Sequence, residues 1–339
     1  MKVLVVGGGS IGSRHLGNLR QLGVESLGLV EPEASRREAL VAEISVSAFT
    51  RLQDGLEWGP HLVLIATPSH LHIQPALEAA RSGVALFVEK PLSHSAAGIA
   101  ELSEIVSSRG LISLVGCNMR FHPGPAKVTR LLREGVLGRI LFARIQAGSY
   151  LPEWRPNSDY RSNYAAHAET GGGCILDYIH EIDLAQWYLG PIKSVFCWAG
   201  KVSSLEIETE DVAALICRHA SGAITEIHLD YVQRTYERGC QIVGELGSIF
   251  WDVNEKQVRW YDAANKKWTT YAQPESWTSN LMFVDEMKHF LDCVEKNCPT
   301  ALPIPEAASL MRVVFAAKKS AQLGNMIKVA EAGAGENWQ

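Results

Sequence analysis

The sequence opens with Met1-Lys2-Val3-Leu4-Val5-Val6-Gly7-Gly8-Gly9-Ser10-Ile11-Gly12, an apolar run that leads into closely spaced glycines and then into a helical pattern. The run predicts a buried strand, so the glycines form a G-x-G-x-x-G turn between a strand and a helix. Gly7 suits the tight turn, Gly9 lets the backbone approach a pyrophosphate, and Gly12 lets the helix pack on the strand. The candidate phosphate-binding residues are Gly7, Gly9, Ser10, Ile11 and Gly12.

The next predicted strand, Ser26 to Val30, ends in Glu31, at the distance from the glycines that a dinucleotide site requires. A carboxylate there accepts hydrogen bonds from a ribose 2′-hydroxyl and repels a 2′-phosphate, so Glu31 favours NAD over NADP. Arg36 and Arg37 follow and are long enough to reach a 2′-phosphate. They lie on a predicted helix face, where a solvated charge pair is the commoner interpretation.

Strands alternate with helical patterns through the first third of the chain, which predicts a parallel sheet with crossover helices. One such strand, Val84 to Val88, ends in Glu89-Lys90-Pro91. Ligands of open α/β sheets bind beyond the carboxyl ends of the strands. Lys90 is suited to proton transfer there, because desolvation readily lowers the pKa of a lysine. The alternative is that Glu89 and Lys90 form a capping salt bridge.

Polar residues follow two further predicted strands. Thr67 and Pro68 follow the strand His61 to Ala66 and face the same crevice as Gly7 and Lys90, with His72 a few residues on. A histidine that opens a helix is more often a cap or a surface residue than a functional group. Gly116 to Pro123 follows the strand Leu111 to Val115 and places Asn118 and Arg120 at the point where the first domain ends.

Composition sets broad limits on the class of protein. The 339 residues suffice for two domains, and the hydrophobic fraction of 47% with no long apolar run predicts a cytoplasmic protein without a membrane span. Seven scattered cysteines without a C-x-x-C pair argue against disulfides and a zinc site, and we expect no metal. A net charge of −5 without a basic block argues against nucleic acid as a partner.

The second half has a different pattern. A helix from Ala126 to Glu134 precedes clustered strands, which predict an α+β domain with an open, mostly antiparallel mixed sheet. Alternation within the strand Ile224 to Tyr231 leaves one sheet face to solvent or to a partner. The predicted domains are therefore 1–120 and 121–330, with a final helix packing back on the first domain and a loosely ordered end at 330–339.

A polar and aromatic segment, Tyr150 to Tyr164, leads through Gly171-Gly172-Gly173 into a predicted helix from Cys174 to Leu189. Asp177 and His180 stand three residues apart and would share one face of that helix. The pair is read either as a helix cap beside a structural histidine or as a general base oriented by a carboxylate.

Taken in order, the glycine turn, Ala66-Thr67-Pro68, His72, Glu89-Lys90-Pro91, Asn118 to Pro123 and Gly171 to Asp183 resemble the glucose–fructose oxidoreductase/inositol dehydrogenase family. The resemblance covers nearly the whole chain. It implies a Rossmann domain followed by an open-sheet domain, a nicotinamide cofactor, and hydride transfer at a sugar or cyclitol carbon. It also implies that Lys90 and His180 handle the hydroxyl proton, and that a cis peptide bond often precedes Pro91.

One feature departs from that family. Many members carry the acid four residues before the histidine, whereas here Leu176 holds that place and Asp177 stands three residues before His180. Either Asp177 or His180 is therefore displaced by about 100° around a regular helix. The segment Tyr150 to Tyr164 also resembles a subgroup associated with bacterial surface-sugar biosynthesis, which suggests a modified or nucleotide-linked sugar.

These observations predict an NAD-dependent sugar dehydrogenase or reductase that forms a homodimer or homotetramer. The predicted catalytic residues are Lys90, His180 and Asp177. The predicted cofactor site adds Glu31, Thr67, Pro68, His72, Glu89, Lys90 and Asn118 to the glycine turn. The predicted substrate site comprises Lys90, Arg120, Trp154, Arg155, Tyr160, Asn163, Asp177 and His180. An NAD-assisted glycosidase of the same family and a non-catalytic dinucleotide-binding sensor are the alternatives, and the sugar, the carbon oxidised and the direction are left open.

Overall fold

The computed structural model describes residues 1–332 and divides into two compact units. The first unit comprises Met1–Asn118 together with Thr278–Ser309, and the second comprises Met119–Trp277 and the chain from Leu310 onward. Most of the end expected to be loosely ordered, residues 333–339, lies outside the described residues.

The first unit is built from short strands that alternate with helices. Its strands and helices from the amino-terminal segment are β1 (Lys2–Val6), α1 (Ser10–Gln21), β2 (Ser26–Val30), α2 (Ala34–Ile44), β3 (Ser47–Phe49), α3 (Leu52–Glu57), β4 (Leu62–Ile65), α4 (Ile73–Arg81), β5 (Ala85–Glu89), α5 (Ile99–Ser108) and β6 (Ser113–Gly116).

The strands form a six-stranded parallel sheet in the order β3-β2-β1-β4-β5-β6. Side chains along β4, and along β1 and β5 after their first residues, are buried, because helices cover both faces of a doubly wound parallel sheet. The strand order reverses between β1 and β4, and ligands of such sheets bind at that switch point. The predicted Rossmann architecture is confirmed.

The second unit contains more strands than the sequence indicated. Its elements are α6 (Pro123–Arg133), β7 (Ile140–Gly148), α7 (Cys174–Asp177), α8 (Ile179–Leu189), β8 (Ile192–Gly200), β9 (Val212–His219), β10 (Ile224–Asp230), β11 (Glu237–Gly244), β12 (Gly247–Asp252), β13 (Gln257–Asp262) and β14 (Lys267–Ala272). Three further elements close the described chain: α9 (Ser279–Lys296), α10 (Ile304–Leu323) and β15 (Ile327–Lys328).

Helix α6 begins three residues earlier than the periodicity predicted, at Pro123 rather than Ala126. Proline suits the first turn of a helix because its missing N–H would have no intrahelical partner there. The His122 side chain caps the helix by accepting a hydrogen bond from the Gly124 N–H. Apolar periodicity carries no signal at these capping positions, so it misses the true start.

The second sheet has nine strands in the order β14-β13-β12-β11-β7-β10-β9-β8-β15. All its pairs are antiparallel except β7 with β10, which are parallel. Along β10, Thr225, Ile227 and Leu229 are buried while Glu226 and His228 are exposed. The predicted open, mostly antiparallel mixed sheet with one buried face is confirmed.

Within residues 1–332 no helix is both long and apolar enough to cross a bilayer.

Candidate active site

Close backbone approach shapes the glycine turn between β1 and α1. Gly7 has a φ of +100°, and a Cβ on it would lie 2.8 Å from the carbonyl oxygen of Ala66. A Cβ on Gly12 would lie 1.9 Å from the carbonyl oxygen of Gly7. A Cβ on Gly9 would meet no atom within 4 Å. The chain's own packing therefore requires glycine at positions 7 and 12, whereas Gly9 borders open space.

This open space lies where the sequence predicts a dinucleotide pyrophosphate. Helix α1 begins at Ser10 and Ile11, so its first N–H groups, which have no intrahelical acceptor, lie beside Gly9. Thr67 and Pro68 follow β4, the neighbour of β1, and the Thr67 hydroxyl oxygen is buried with no hydrogen-bond partner among residues 1–332. Such a hydroxyl carries a desolvation cost that a polar ligand atom removes.

Glu31 lies at the carboxyl end of β2 and is 5% exposed. One carboxylate oxygen accepts a hydrogen bond from the Gly8 N–H at 2.8 Å, and the other accepts one from the Glu33 N–H at 2.9 Å. Burial alone would raise the pKa of Glu31, but these two bonds and the Arg36 guanidinium hold that pKa below its usual value. Glu31 is therefore an ionised carboxylate in contact with the glycine turn.

Arg36 and Arg37 lie on α2, and the Arg36 side chain is 46% exposed although it pairs with two carboxylates. Arg36 Nη1 lies 3.3 Å from the Glu31 carboxylate and Nη2 lies 2.6 Å from that of Glu33. Arg37 donates to the carbonyl oxygens of Glu31 and Pro32. Both side chains therefore contact the residues that directly follow β2.

His72 stands at the N-cap of α4, as its position suggested, but its side chain makes no capping hydrogen bond and is not at the surface. It is 1% exposed, and its ring nitrogens lie 2.8 Å from the carbonyl oxygens of Thr67 and Pro91. Burial lowers the pKa of His72 despite these two contacts. The imidazole therefore ties the loop after β4 to the loop after β5.

The end of β5 carries Glu89 and Lys90. Glu89 is 8% exposed, and its carboxylate accepts hydrogen bonds from His15 Nε2 at 2.6 Å and from the Lys90 N–H at 3.1 Å. The Lys90–Pro91 peptide bond is cis, as the family resemblance implied. Asn118 follows β6 and is buried at the start of a 3-10 turn.

The predicted cofactor residues thus share one edge of the first sheet. They follow the carboxyl ends of five strands, with the glycine turn after β1, Glu31 after β2, Thr67 after β4, Lys90 after β5 and Asn118 after β6.

In the second unit, the helix predicted from Cys174 to Leu189 is interrupted. Helix α7 ends at Asp177, Tyr178 adopts φ −93° and ψ 32°, and α8 begins at Ile179. The expectation that Asp177 and His180 share one face of a regular helix is therefore wrong. The break accommodates the unusual three-residue spacing. Because Tyr178 is not helical, the directions of the Asp177 and His180 side chains are no longer related by 100° of rotation per residue.

Two tyrosines hold the Asp177 carboxylate. Tyr164 donates its hydroxyl hydrogen bond to Oδ1 at 2.6 Å, and Tyr231 donates to Oδ2. Burial and the nearby charge of Asp177 raise the pKa of both tyrosines well above the usual value, so both hydroxyls stay protonated as donors. Asp177 is 6% exposed and His180, in the first turn of α8, is also 6% exposed.

Arg120 has a structural ion pair that the sequence did not indicate. Its Nε and Nη2 atoms donate to the two carboxylate oxygens of Asp183 at 2.9 and 2.6 Å, and both side chains are buried. Glu181, the neighbour of His180, makes a similar fork with Arg238 at 2.8 and 3.1 Å. These pairs fix α8, and the substrate-binding role of Arg120 stays a prediction.

The remaining predicted substrate residues lie in the loop after β7. Trp154 donates from Nε1 to the Ser149 hydroxyl at 2.6 Å, Arg155 is exposed, and the Tyr160 hydroxyl accepts from the Glu206 N–H. Asn163 is 8% exposed, and its side-chain oxygen has no hydrogen-bond partner among residues 1–332. Asn163 therefore offers a buried acceptor for a ligand hydroxyl.

Sequence reasoning missed the tyrosines around Asp177. Tyr231 directly follows β10 and is fully buried, with the Trp154 ring packed edge-on at 5.2 Å. Tyr178 contacts the same tryptophan, and its hydroxyl lies 2.7 Å from that of Ser149. The position of Tyr231 at the end of the alternating strand β10 was the available signal. Its partner Asp177 is 54 positions away in the chain, so the sequence pattern did not indicate the contact.

Comparison with known proteins agrees with this geometry. Residues 1–117 match the model described as "Oxidoreductase family, NAD-binding Rossmann fold", and residues 126–250 match the GFO/IDH/MocA C-terminal domain. The chain is thus an oxidoreductase with an NAD-binding Rossmann domain. It belongs to the GFO/IDH/MocA family.

Individual relatives are distant but similar in length. Myo-inositol 2-dehydrogenase of Thermotoga maritima is 25% identical over 98% of this chain and 99% of its own. Levoglucosan dehydrogenase, solved with NADH and levoglucosan, superposes with a TM-score of 0.89 at 19% identity over 98% and 100% of the two chains. The WlbA dehydrogenase of Bordetella pertussis, solved with NADH and UDP-GlcNAcA, has a TM-score of 0.83 at 22% identity over 97% of both chains.

Proposed function

We propose that this enzyme transfers a hydride between NAD and a hydroxyl-bearing carbon of a sugar, cyclitol or nucleotide-linked sugar. The observation that carries the proposal is the position of Lys90 on the sheet edge that also bears the glycine turn, Glu31 and Thr67. A nicotinamide supplies the hydride acceptor when the cofactor is bound. Glu31 favours the unphosphorylated ribose.

In this proposal Lys90 and His180 handle the proton of the hydroxyl being oxidised. A hydroxyl loses its proton more easily when a positioned base accepts it as the hydride leaves. Lys90 belongs to the first unit and His180 to the second, and their shared role rests on the family resemblance. Asp177, held by Tyr164 and Tyr231, presents a fixed anionic acceptor for a sugar hydroxyl.

The substrate class is supported by the chemistry of the second unit. Trp154 provides partly exposed aromatic surface backed by Tyr178, while Asn163 and Asp177 provide buried polar acceptors. This combination suits a polyhydroxylated ring, whose C–H faces pack on aromatics and whose hydroxyls need hydrogen-bond partners. The matched dehydrogenases named for inositol and levoglucosan, and the one bound to UDP-GlcNAcA, fall within this class.

The test is a screen of cyclitols, anhydrosugars, free sugars and UDP-sugars with NAD and with NADP, following the reduced-nicotinamide absorbance. We expect a sustained absorbance increase with NAD for one class, and none for the Lys90→Ala variant. An NAD-assisted glycosidase would instead cleave a glycoside only when NAD is present, without net accumulation of reduced cofactor. Turnover of no compound in either assay, in a protein that binds NAD, would refute the proposal.

We also propose that the enzyme is a homodimer or homotetramer assembled through the open face of the second sheet. That face exposes Phe196, Trp198 and Ile216, which lie on the adjacent strands β8 and β9. Clustered exposed aromatics of this kind usually mark an interface.

A further inference from the structure

His15 is a buried residue of α1 that the proposed reaction does not use. It has no exposed surface, and its Nε2 atom lies 2.6 Å from Oε1 of Glu89 at the end of β5. The rings of Phe87 and Phe283 pack edge-on against the imidazole, with centroid distances of 5.2 and 6.1 Å. The ring is thus held both by packing and by a hydrogen bond to a carboxylate.

The contact with Glu89 indicates which ring nitrogen of His15 donates. The Glu89 carboxylate is the acceptor, so the Nε2 atom of His15 is the donor. The Nδ1 atom is buried and has no hydrogen-bond partner among residues 1–332. Within the described residues, the Nε2 contact with Glu89 is therefore the hydrogen bond that orients this ring.

The same carboxylate also restrains the backbone at Lys90. Oε2 of Glu89 accepts the hydrogen bond from the Lys90 N–H at 3.1 Å. A Cβ on Gly116 of the neighbouring strand would lie 3.2 Å from this oxygen. Glycine at this position therefore avoids a close contact with the Glu89 carboxylate. His15, Glu89 and the Lys90 amide form a continuous chain of hydrogen bonds.

We propose that His15 is a positioning residue that orients Glu89 and, through it, the backbone from which the Lys90 side chain extends. The link joins α1, whose first turn borders the open space at Gly9, to the strand end that bears the proposed proton-transfer lysine. Its importance for turnover rests on the proposed function, but the link itself is independent of it.

The test compares His15→Leu, which removes the donor at similar volume, with His15→Gln, whose amide donates from about the same place. Hydrogen exchange of peptides covering Phe87 to Leu92 is measured by mass spectrometry on the protein without substrate. We expect the Lys90 amide to exchange at least about tenfold faster in His15→Leu, because its acceptor is no longer oriented. His15→Gln should restore slow exchange.

Two further variants complete the design. Glu89→Gln keeps an oxygen for His15 but turns an amide group toward the Lys90 N–H, so exchange at Lys90 should rise although His15 is intact. His289→Leu removes a different histidine of the same unit, which accepts a hydrogen bond from the Ala301 N–H, and should leave exchange at Lys90 unchanged. If His15→Leu fails to fold, His15→Gln and Glu89→Gln still test the link.

Turnover provides the functional readout. With a substrate in hand, His15→Leu should lower kcat by about 10- to 100-fold, the range expected when a reacting group is displaced by up to an ångström, with KM for the sugar and NAD affinity changed far less. Unchanged Lys90 exchange in a folded His15→Leu variant would overturn the link. Faster exchange with unchanged kcat would overturn the positioning role of His15 in turnover, whereas the role of Lys90 itself is tested separately by Lys90→Ala.

Discussion

Tyr231 donates its hydroxyl hydrogen bond to the carboxylate of Asp177, although the two residues are 54 positions apart in the chain. Tyr164 donates to the other oxygen of the same carboxylate. On either side of the helix break at Tyr178, side chains are thus fixed to other elements, Asp177 by these tyrosines and Glu181 by Arg238. These ties stabilise a backbone geometry that local sequence does not favour.

Removing one of these donors should destabilise the second unit. Tyr231→Phe leaves a buried carboxylate with one hydrogen bond fewer, so the free energy of unfolding should fall by about 1–3 kcal/mol. Urea denaturation measures the change. Tyr261→Phe, on β13 and partly exposed, is the matched control and should change stability little. Equal stability of Tyr231→Phe and the wild type would show that this hydrogen bond contributes nothing.

Lys90 and His180 should each be needed for turnover. Lys90→Ala and His180→Ala should each lower kcat by roughly 10²- to 10⁴-fold, as is usual for a positioned acid–base group, with NAD affinity little changed. The double variant should lose less than the product of the two, since groups that act as a unit are not additive. Lys288→Ala, at an exposed lysine of the first unit, is the control. Near-full turnover of Lys90→Ala would refute the mechanism.

Asp177→Asn separates a role in the reaction from a role in helix geometry. The amide keeps the size of the side chain but turns a donor toward one tyrosine hydroxyl. We expect kcat to fall by about 10²-fold or more if the carboxylate serves the substrate. A loss of stability with unchanged kcat would assign Asp177 to the fold alone. Kinetics and denaturation on the same preparation provide both measurements.

Glu31 should determine the preference between NAD and NADP. Glu31→Gln removes the charge that repels a 2′-phosphate and leaves Arg36 paired with Glu33 alone. We expect the ratio of NADP to NAD affinity to rise about tenfold or more, equivalent to roughly 1.4 kcal/mol. Cofactor titration of the variant, and of Glu38→Gln as an exposed control on α2, checks this. A wild type that prefers NADP would contradict the assignment.

His122 should make the second unit sensitive to acid. Burial, together with the nearby Arg238 charge, lowers the pKa of His122 to about 4 from the usual 6.5. In the unfolded chain, His122 therefore becomes protonated below about pH 6.5, whereas in the folded chain it becomes protonated only near pH 4. The free energy of unfolding should fall across this window, by up to about 3 kcal/mol at 1.36 kcal/mol per pKa unit.

His122→Asn tests this prediction, because asparagine is a good helix cap and does not titrate. Denaturation at about pH 7 and about pH 4.5 should show a smaller acid loss in the variant than in the wild type, whatever its stability at neutral pH. Parallel pH profiles of the two proteins would show that His122 does not cause the acid sensitivity.

The open sheet face should determine oligomeric state. Trp198 and Ile216 are each 54% exposed, and Phe196 is paired across the strands with Ile216. Trp198→Asp or Ile216→Asp should yield monomers in light scattering, because an interface excludes unpaired charge from its apolar centre. Lys193→Asp, exposed on the same strand as Trp198, should leave the assembly intact. A monomeric wild type at micromolar concentration would refute the interface.

The sequence by itself determined the parallel sheet of the first unit and the edge at which the cofactor site is proposed. Continuous apolar runs are typical of strands buried on both faces, and the spacing of Gly7, Gly9 and Gly12 specifies the turn after β1. Because parallel strands end at a common edge, the residues after each run had to lie together, and this placed Glu31, Thr67 and Lys90 correctly. The apolar runs and the glycine spacing are local features, so they can be recognised in a single sequence.

Only the tertiary structure decided the contacts in which the partners are distant along the chain. The burial of His72 between two loops, the pairing of His15 with Glu89, and the tyrosines on Asp177 all depend on elements that meet after folding. The break at Tyr178 is of the same kind: helical periodicity predicted a continuous helix, and side-chain ties to other elements outweighed it. Hydrogen bonds of buried groups are decided by which elements pack together, and periodicity does not encode that choice.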